Sequence, residues 1–157
     1  MIFASINTSI TEILLEDSAL FELTNDNCNL ELLVLDLTQD SVFNVSCPNT
    51  VQITTFNHYD GTRTGNTDIQ AENYHWTSGL LSSDSQVSTT FVTNSGIFDD
   101  NSSFNTKSRE IDNHLLVISG GVDWLTNDLN LLNNARLEVN SNGVFSIDVD
   151  SNAKSIY

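Results

Sequence analysis

Apolar residues fall along this chain mainly in short runs that alternate with polar ones, the period of half-buried strands. The strongest run is Leu30–Leu37. As an extended segment it puts Leu30, Leu32 and Val34 on one face and Leu33, Leu35 and Leu37 on the other. A strand apolar on both faces belongs in mid-sheet or inside a subunit contact, so Leu30, Leu32, Leu33, Leu35 and Leu37 are candidate interface residues. Val42–Cys47 aims Phe43, Val45 and Cys47 one way and Asn44 and Ser46 the other. Thr50–Phe56 follows Pro48 with Val51 and Ile53 inward. Gln86–Val92 and His114–Ser119 read as further strands. Ala135–Val139 and Val144–Val149 read as a hairpin across Ser141-Asn142-Gly143. That register sets Val139 against Phe145, Leu137 against Ile147 and Arg136 against Asp148.

Other segments are less defined. For 1–24 two readings stand side by side. Ser9 and Glu12 form a capping box before a helical face of Ile10, Ile13, Leu14 and Phe21. Alternatively, Ile13–Leu15 and Ala19–Leu23 are strands about a Glu16–Ser18 turn. Val122–Asn134 fits a short helix with Val122, Leu125, Leu129 and Leu132 on one side. Asn57–Gly79 reads as loop, and Thr93–Arg109 as a polar exposed arm. No internal repeat stands out. These elements predict a single all-β domain over 1–157, mainly antiparallel. The expected architecture is a sandwich, jelly roll or small barrel with at most one or two short helices.

Composition sharpens the picture. Asn, Ser and Thr number 20, 19 and 16, while strong helix formers are scarce. With 21 acidic and 5 basic side chains the net charge is −16, which argues against nucleic acid and anionic lipid as partners. No run approaches the ~18 apolar residues of a membrane span. Met1–Leu15 lacks the basic start and unbroken apolar stretch of a signal peptide, so synthesis in a cytoplasm is expected. If Leu30–Leu37 and Val42–Cys47 formed a hairpin, Cys28 and Cys47 would lie about 13 Å apart at ~3.3 Å per residue. That exceeds disulfide reach and predicts free thiols.

Three groups of residues invite a chemical reading. His58, Asp60 and His114 supply the two imidazoles and one carboxylate of an open Fe(II) site. The His58-Tyr59-Asp60 triplet resembles the first metal half-motif of prolyl-hydroxylase-type oxygenases, which are β-sandwich proteins. That resemblance implies an Fe(II) and keto-acid reaction. Those enzymes place a basic residue about ten positions after the second histidine, whereas here the next is Arg136, twenty-two on. A turn cap beside Asp60-Gly61 accounts for the triplet more simply. Tyr74, His75 and Trp76 form an aromatic cluster suited to a binding hot spot or to stacking on sugar rings; packing of a loop on the sheet is the ordinary alternative. Asp148–Asn152 opens like a calcium loop, but position six is Ala153 and the chain stops before position twelve. Asp99-Asp100-Asn101 is a second acidic group. No nucleophile motif or phosphate loop is present. The expectation is therefore a protein that is not an enzyme and needs no cofactor or metal.

The Ile13–Leu23 opening, the Asn/Ser/Thr-rich strands and the acidic surface together resemble small structural proteins of tailed bacteriophages. The resemblance implies a capsid decoration (cement) protein or a tail or fibre component on the virion surface. It implies a homo-oligomer whose partners are other virion proteins, such as a major capsid or tail protein. A carbohydrate-binding adhesin module is the alternative.

Overall fold

The computed structural model describes residues 6–24, 26, 28–84, 87–99, 108–126 and 128–147. Among them there is no helix; fifteen strands account for the regular structure. They are β1 (Ile6–Leu15), β2 (Leu20–Thr24), β3 (Cys28–Leu37), β4 (Val42–Ser46), β5 (Val51–His58), β6 (Thr62–Thr64), β7 (Ile69–Trp76) and β8 (Gly79–Ser82). The remainder are β9 (Ser88–Phe98), β10 (Arg109–Asp112), β11 (His114–Ile118), β12 (Gly121–Trp124), β13 (Leu129–Leu132), β14 (Arg136–Val139) and β15 (Val144–Ile147).

Every strand pairing is parallel, and none joins strands consecutive in the chain. Long strands stack in the order β1-β3-β5-β7-β9, continuing as β11-β14 on one side and β12-β15 on the other. Short strands stack separately as β2-β4-β6-β8-β10-β13. Each turn of chain therefore lays one long and one short strand onto the turn before it. The architecture is a β-solenoid of seven coils, not the antiparallel sandwich, jelly roll or barrel that the alternation suggested. Alternation reports only that one face is buried; it does not distinguish a strand paired with its neighbour in sequence from one paired with the next coil.

The core is built of residue columns. One runs Leu15, Leu37, His58, Trp76, Phe98, Trp124, Ile147. A second runs Ile13, Leu35, Phe56, Tyr74, Gly96, Val122, Phe145, and a third Ile10, Leu32, Ile53, Ala71, Val92, Ile118, Val139. On the short strands Phe21, Phe43, Arg63, Leu81, Ile111 and Leu131 line up. Strand β3 shows why Leu30–Leu37 looked two-faced. Leu30, Leu32, Leu35 and Leu37 are all buried, whereas Leu33 is half exposed. The inward phase slips by one residue between Leu32 and Leu35, where the long strand bends from one side of the solenoid to the next.

Corners need backbone that turns sharply. After the long strands, Asp17 and Ser18, then Gln39 and Asp40, then Gly61 and Gly79 have positive φ. The corners also bond to each other, as in Thr62 N–H to the Ser41 carbonyl at 2.7 Å and Leu80 N–H to the Gly61 carbonyl at 2.9 Å. At Gly79 a Cβ would stand 2.5 Å from the Gly61 carbonyl oxygen and 2.7 Å from His58 Nε2.

Several local expectations change accordingly. Residues 6–24 form strands about a turn at Asp17-Ser18, not a helix begun at Ser9. The expected helix over Val122–Asn134 is β12 and β13. The expected loop Asn57–Gly79 contains β6 and β7. The expected arm Thr93–Arg109 is β9 up to Phe98 and β10 from Arg109, with 100–107 outside the described residues. Strands β14 and β15 do not form a hairpin; they pair with β11 and β12. The Arg136–Asp148 contact lies outside the described residues. Cys28 and Cys47, expected apart, form a disulfide with a Cα separation of 5.7 Å. The separation of 19 residues is close to one coil, so the turn after β4 returns Cys47 beside the start of β3.

Candidate functional site

The chain's chemically capable side chains divide between an interior polar network, an aromatic column, an outer groove and the two ends of the stack. The interior network centres on Arg63, which the short-strand column carries fully into the core. Its Nη1 donates to Ser88 Oγ at 2.7 Å and to the Ser82 and Gly65 carbonyls at 3.1 and 3.3 Å, and its Nη2 donates to the Thr67 carbonyl. Burial lowers its pKa to about 10, with Asp68 and Asp84 opposing the shift. His114 faces the same group, with Nδ1 2.9 Å from Ser83 Oγ and 3.1 Å from Ser88 Oγ, and Nε2 2.9 Å from Thr90 Oγ1. Arg63 Nη1, which can only donate, lies 3.4 Å from Nδ1. That assigns the proton to Nε2, donating to Thr90. Desolvation, then the Arg63 charge, lowers the His114 pKa to about 2.

His58 occupies the aromatic column, stacked on Trp76 at a ring separation of 5.7 Å. Its Nε2 lies 3.0 Å from the Gly61 carbonyl, an acceptor, and its Nδ1 lies 3.1 Å from the Tyr74 hydroxyl. The neutral ring with the proton on Nε2 satisfies both contacts. Desolvation lowers its pKa to about 4. Burial also raises the Tyr74 phenol well above its usual range. Arg109, the first residue of β10, donates from Nε to the Trp76 carbonyl at 2.8 Å and from Nη1 to the Thr126 carbonyl at 2.5 Å. Its guanidinium lies 5.6 Å from the Phe98 ring centre.

This geometry separates the residues proposed as a metal triad. His58 and His114 sit in different columns of coils three and six, each engaged in the core, and the Asp60 carboxylate accepts from Gly61 N–H at 2.8 Å. Among the described residues no group of three His, Cys, Asp or Glu side chains is placed to hold a metal ion. The aromatic trio is divided too. Tyr74 and Trp76 are buried, and Trp76 Nε1 donates to the Ser78 carbonyl. Only His75 faces outward, against Asp99 at 2.6 Å and edge-on to Tyr59. Of the leucines proposed for an interface, Leu30, Leu32, Leu35 and Leu37 are core and Leu33 alone presents surface. Asp100, Asn101 and Asp148–Asn152 lie outside the described residues.

Among the described residues, two outer concavities stand out. A shallow groove of about 160 Å³ at the bend is lined by Thr55, Asn57, Asn73, His75, Ser95 and Ile97. A wider one of about 330 Å³ runs along the corner turns beside Asp40, Asp60, Gly61, Gly79, Ser108 and Glu110. On the outer surface hydrogen bonds link one coil's polar side chains to the next, as in Asn57 to Asp36 at 2.7 Å and Asn140 to Ser119 at 2.8 Å.

The ends differ from the sides. In the last coil Val139 and Ile147 occupy inward column positions yet are 46% and 45% exposed, because no described coil covers them. Leu132 and Val144 of the same end are exposed as well. Sequence reasoning missed this surface, since a hairpin pairing would have buried those residues against one another. Comparison with known protein families, with characterised proteins and with solved structures finds no match to this chain.

Proposed function

We propose that this chain is a non-enzymatic structural protein of a virus particle, a short rigid solenoid segment that binds neighbouring subunits as a decoration or tail-associated protein. The carrying observation is the use to which its residues are put. His58, His114, Arg63 and Tyr74 are spent on holding coils together, while among the described residues Val139 and Ile147 of the last coil stand half exposed. An uncovered coil end is a surface that solenoids must cap or pair. The virion setting comes from the bacteriophage-like composition and opening. The acidic surface keeps such a protein soluble and away from packaged DNA. Antibodies raised against the purified chain test the reading: they should label intact, density-purified particles in electron micrographs. A chain found wholly in the particle-free fraction contradicts it.

The adhesin alternative has one observation in its favour, the amide- and imidazole-lined groove at Asn57, Asn73 and His75. A glycan array with wild type and Asn73→Ala decides it: binding lost in the variant supports it, and a blank array removes it.

A further inference from the structure

The chain's two cysteines are joined to each other, and their bond lies inside the stack, on coil two. Cys28 opens β3 and Cys47 follows β4, so the bond closes that coil into a ring across a sequence separation of 19. Cys28 is buried, whereas Cys47 is partly exposed at the corner. The ring is also fastened to coil three. The Thr67 hydroxyl, buried after β6, accepts the Cys47 N–H and donates to the Cys47 carbonyl at 3.0 Å. Across the same seam Asn49 Nδ2 donates to the Cys28 carbonyl at 2.9 Å.

In a solenoid each coil touches only its neighbours, so the stack opens coil by coil. Opening from the N-terminal side first separates β1 from β3 and β2 from β4, a step that leaves residues 28–47 folded. The next step lifts β3 from β5 and β4 from β6, and only there does the ring lose its order. A cross-linked ring gains less chain freedom on unfolding than an open segment, so the bond opposes that step. We propose that the Cys28–Cys47 bond is a redox-operated lock that stops the stack from opening past coil one. Small thiols, RSH, release it. A thiolate attacks the Cys47 sulfur, on the exposed side, and displaces Cys28, which takes up a proton. A second thiolate attacks the R-bearing sulfur of that mixed disulfide; RSSR leaves and Cys47 takes up the second proton. Two electrons and two protons thus pass from two RSH to the pair. A thiol-rich cytoplasm keeps the lock open, and an oxidising exterior closes it. With the lock open, the parallel edges of β5 and β6 become available to other strands. This device goes beyond the proposed structural role and does not depend on it.

Amide hydrogen exchange of the full-length chain tests the lock, before and after treatment with dithiothreitol under native conditions, with the state of the bond read by mass. For a loop of this size the bond is worth about a hundredfold in an opening constant. Amides that tie β3 to β5 and β4 to β6 should therefore lose about a hundredfold in protection on reduction. Amides of β11, in coil six, open from the C-terminal side and should keep theirs. The C28S/C47S variant should match the reduced chain and show no response to dithiothreitol. Unchanged protection of β3 and β4 in the fully reduced chain overturns the inference. So does an equal loss in β11, or a bond that stays intact in dithiothreitol while the chain is folded. All three results are read on the wild-type chain, so a variant that fails to fold does not blunt the test.

Discussion

Tyr74 points its hydroxyl at His58 Nδ1 across 3.1 Å of solenoid core, and the Gly61 carbonyl holds the opposite ring nitrogen at 3.0 Å. One phenol and one corner carbonyl thus fix a neutral imidazole between Leu37 and Trp76.

Acid should destabilise the fold through this ring and through His114. Their folded pKa values, about 4 and about 2, lie below the unfolded value of 6.5. Between pH 6.5 and about 4 the unfolded chain binds more protons, so stability falls as pH falls. Facing charges work both ways: Asp60 favours protonation of His58, whereas Arg109 opposes it, as Arg63 does for His114. Urea unfolding of wild type should lose several kcal/mol over that window, on the order of 1.4 kcal/mol per unit per histidine. His58→Phe should flatten the slope by about half; an unchanged slope would contradict the assignment.

Arg63→Ala should be among the most damaging single changes. It takes the guanidinium donor away from the Ser82 and Thr67 carbonyls and leaves a cavity in the short-strand column. A loss of roughly 3 kcal/mol or more is expected, since each unsatisfied buried group costs about 1–3 kcal/mol. Arg136→Ala, at an exposed position, should change stability by less than ~0.5 kcal/mol. Equal effects in the two variants would refute the buried network.

Gly79→Ala tests the corner. The added methyl meets both the Gly61 carbonyl and His58 Nε2 at a residue with φ +101°. A loss of about 1–3 kcal/mol is expected from backbone strain alone. Gly121→Ala should cost less, because nothing lies within 4 Å of the added carbon.

The Cys28–Cys47 bond closes nearly one coil. Replacing both residues by serine should cost ~3 kcal/mol, the value for loops of this size. Mass spectrometry of alkylated, unreduced protein should find no free thiol; two modified cysteines would contradict the bond.

Much of the strand content was legible from alternation. Val42–Cys47, Thr50–Phe56 and His114–Ser119 nearly match β4, β5 and β11. The connectivity was not, because the repeat is carried by column position instead of residue identity. A single column holds Leu, His, Trp, Phe and Ile, and the step between coils ranges from 18 residues at Ile53–Ala71 to 30 at Leu81–Ile111. Neither feature gives a self-similar sequence. Asn57–Gly79 reads as loop because Asp60-Gly61, Gly65-Asn66 and Ser78-Gly79 signal chain reversals, and these lie at the corners; the strands between them, β6 and β7, pair only with the coils above and below. The site suffered likewise. Tyr74 and Trp76 cluster in sequence with His75, but alternation sends them inward and His75 outward.

Spin-label distances measure the stack itself. With labels on Leu14 and Asn57, and on Leu14 and Ser146, two and six coil steps separate the sites. At ~4.8 Å per step the backbone separations should be about 10 and about 29 Å, in dilute protein at low salt. Distances that grow in proportion to coil number support the parallel solenoid on which every proposal here rests. A Leu14–Ser146 distance no longer than the Leu14–Asn57 distance would contradict it.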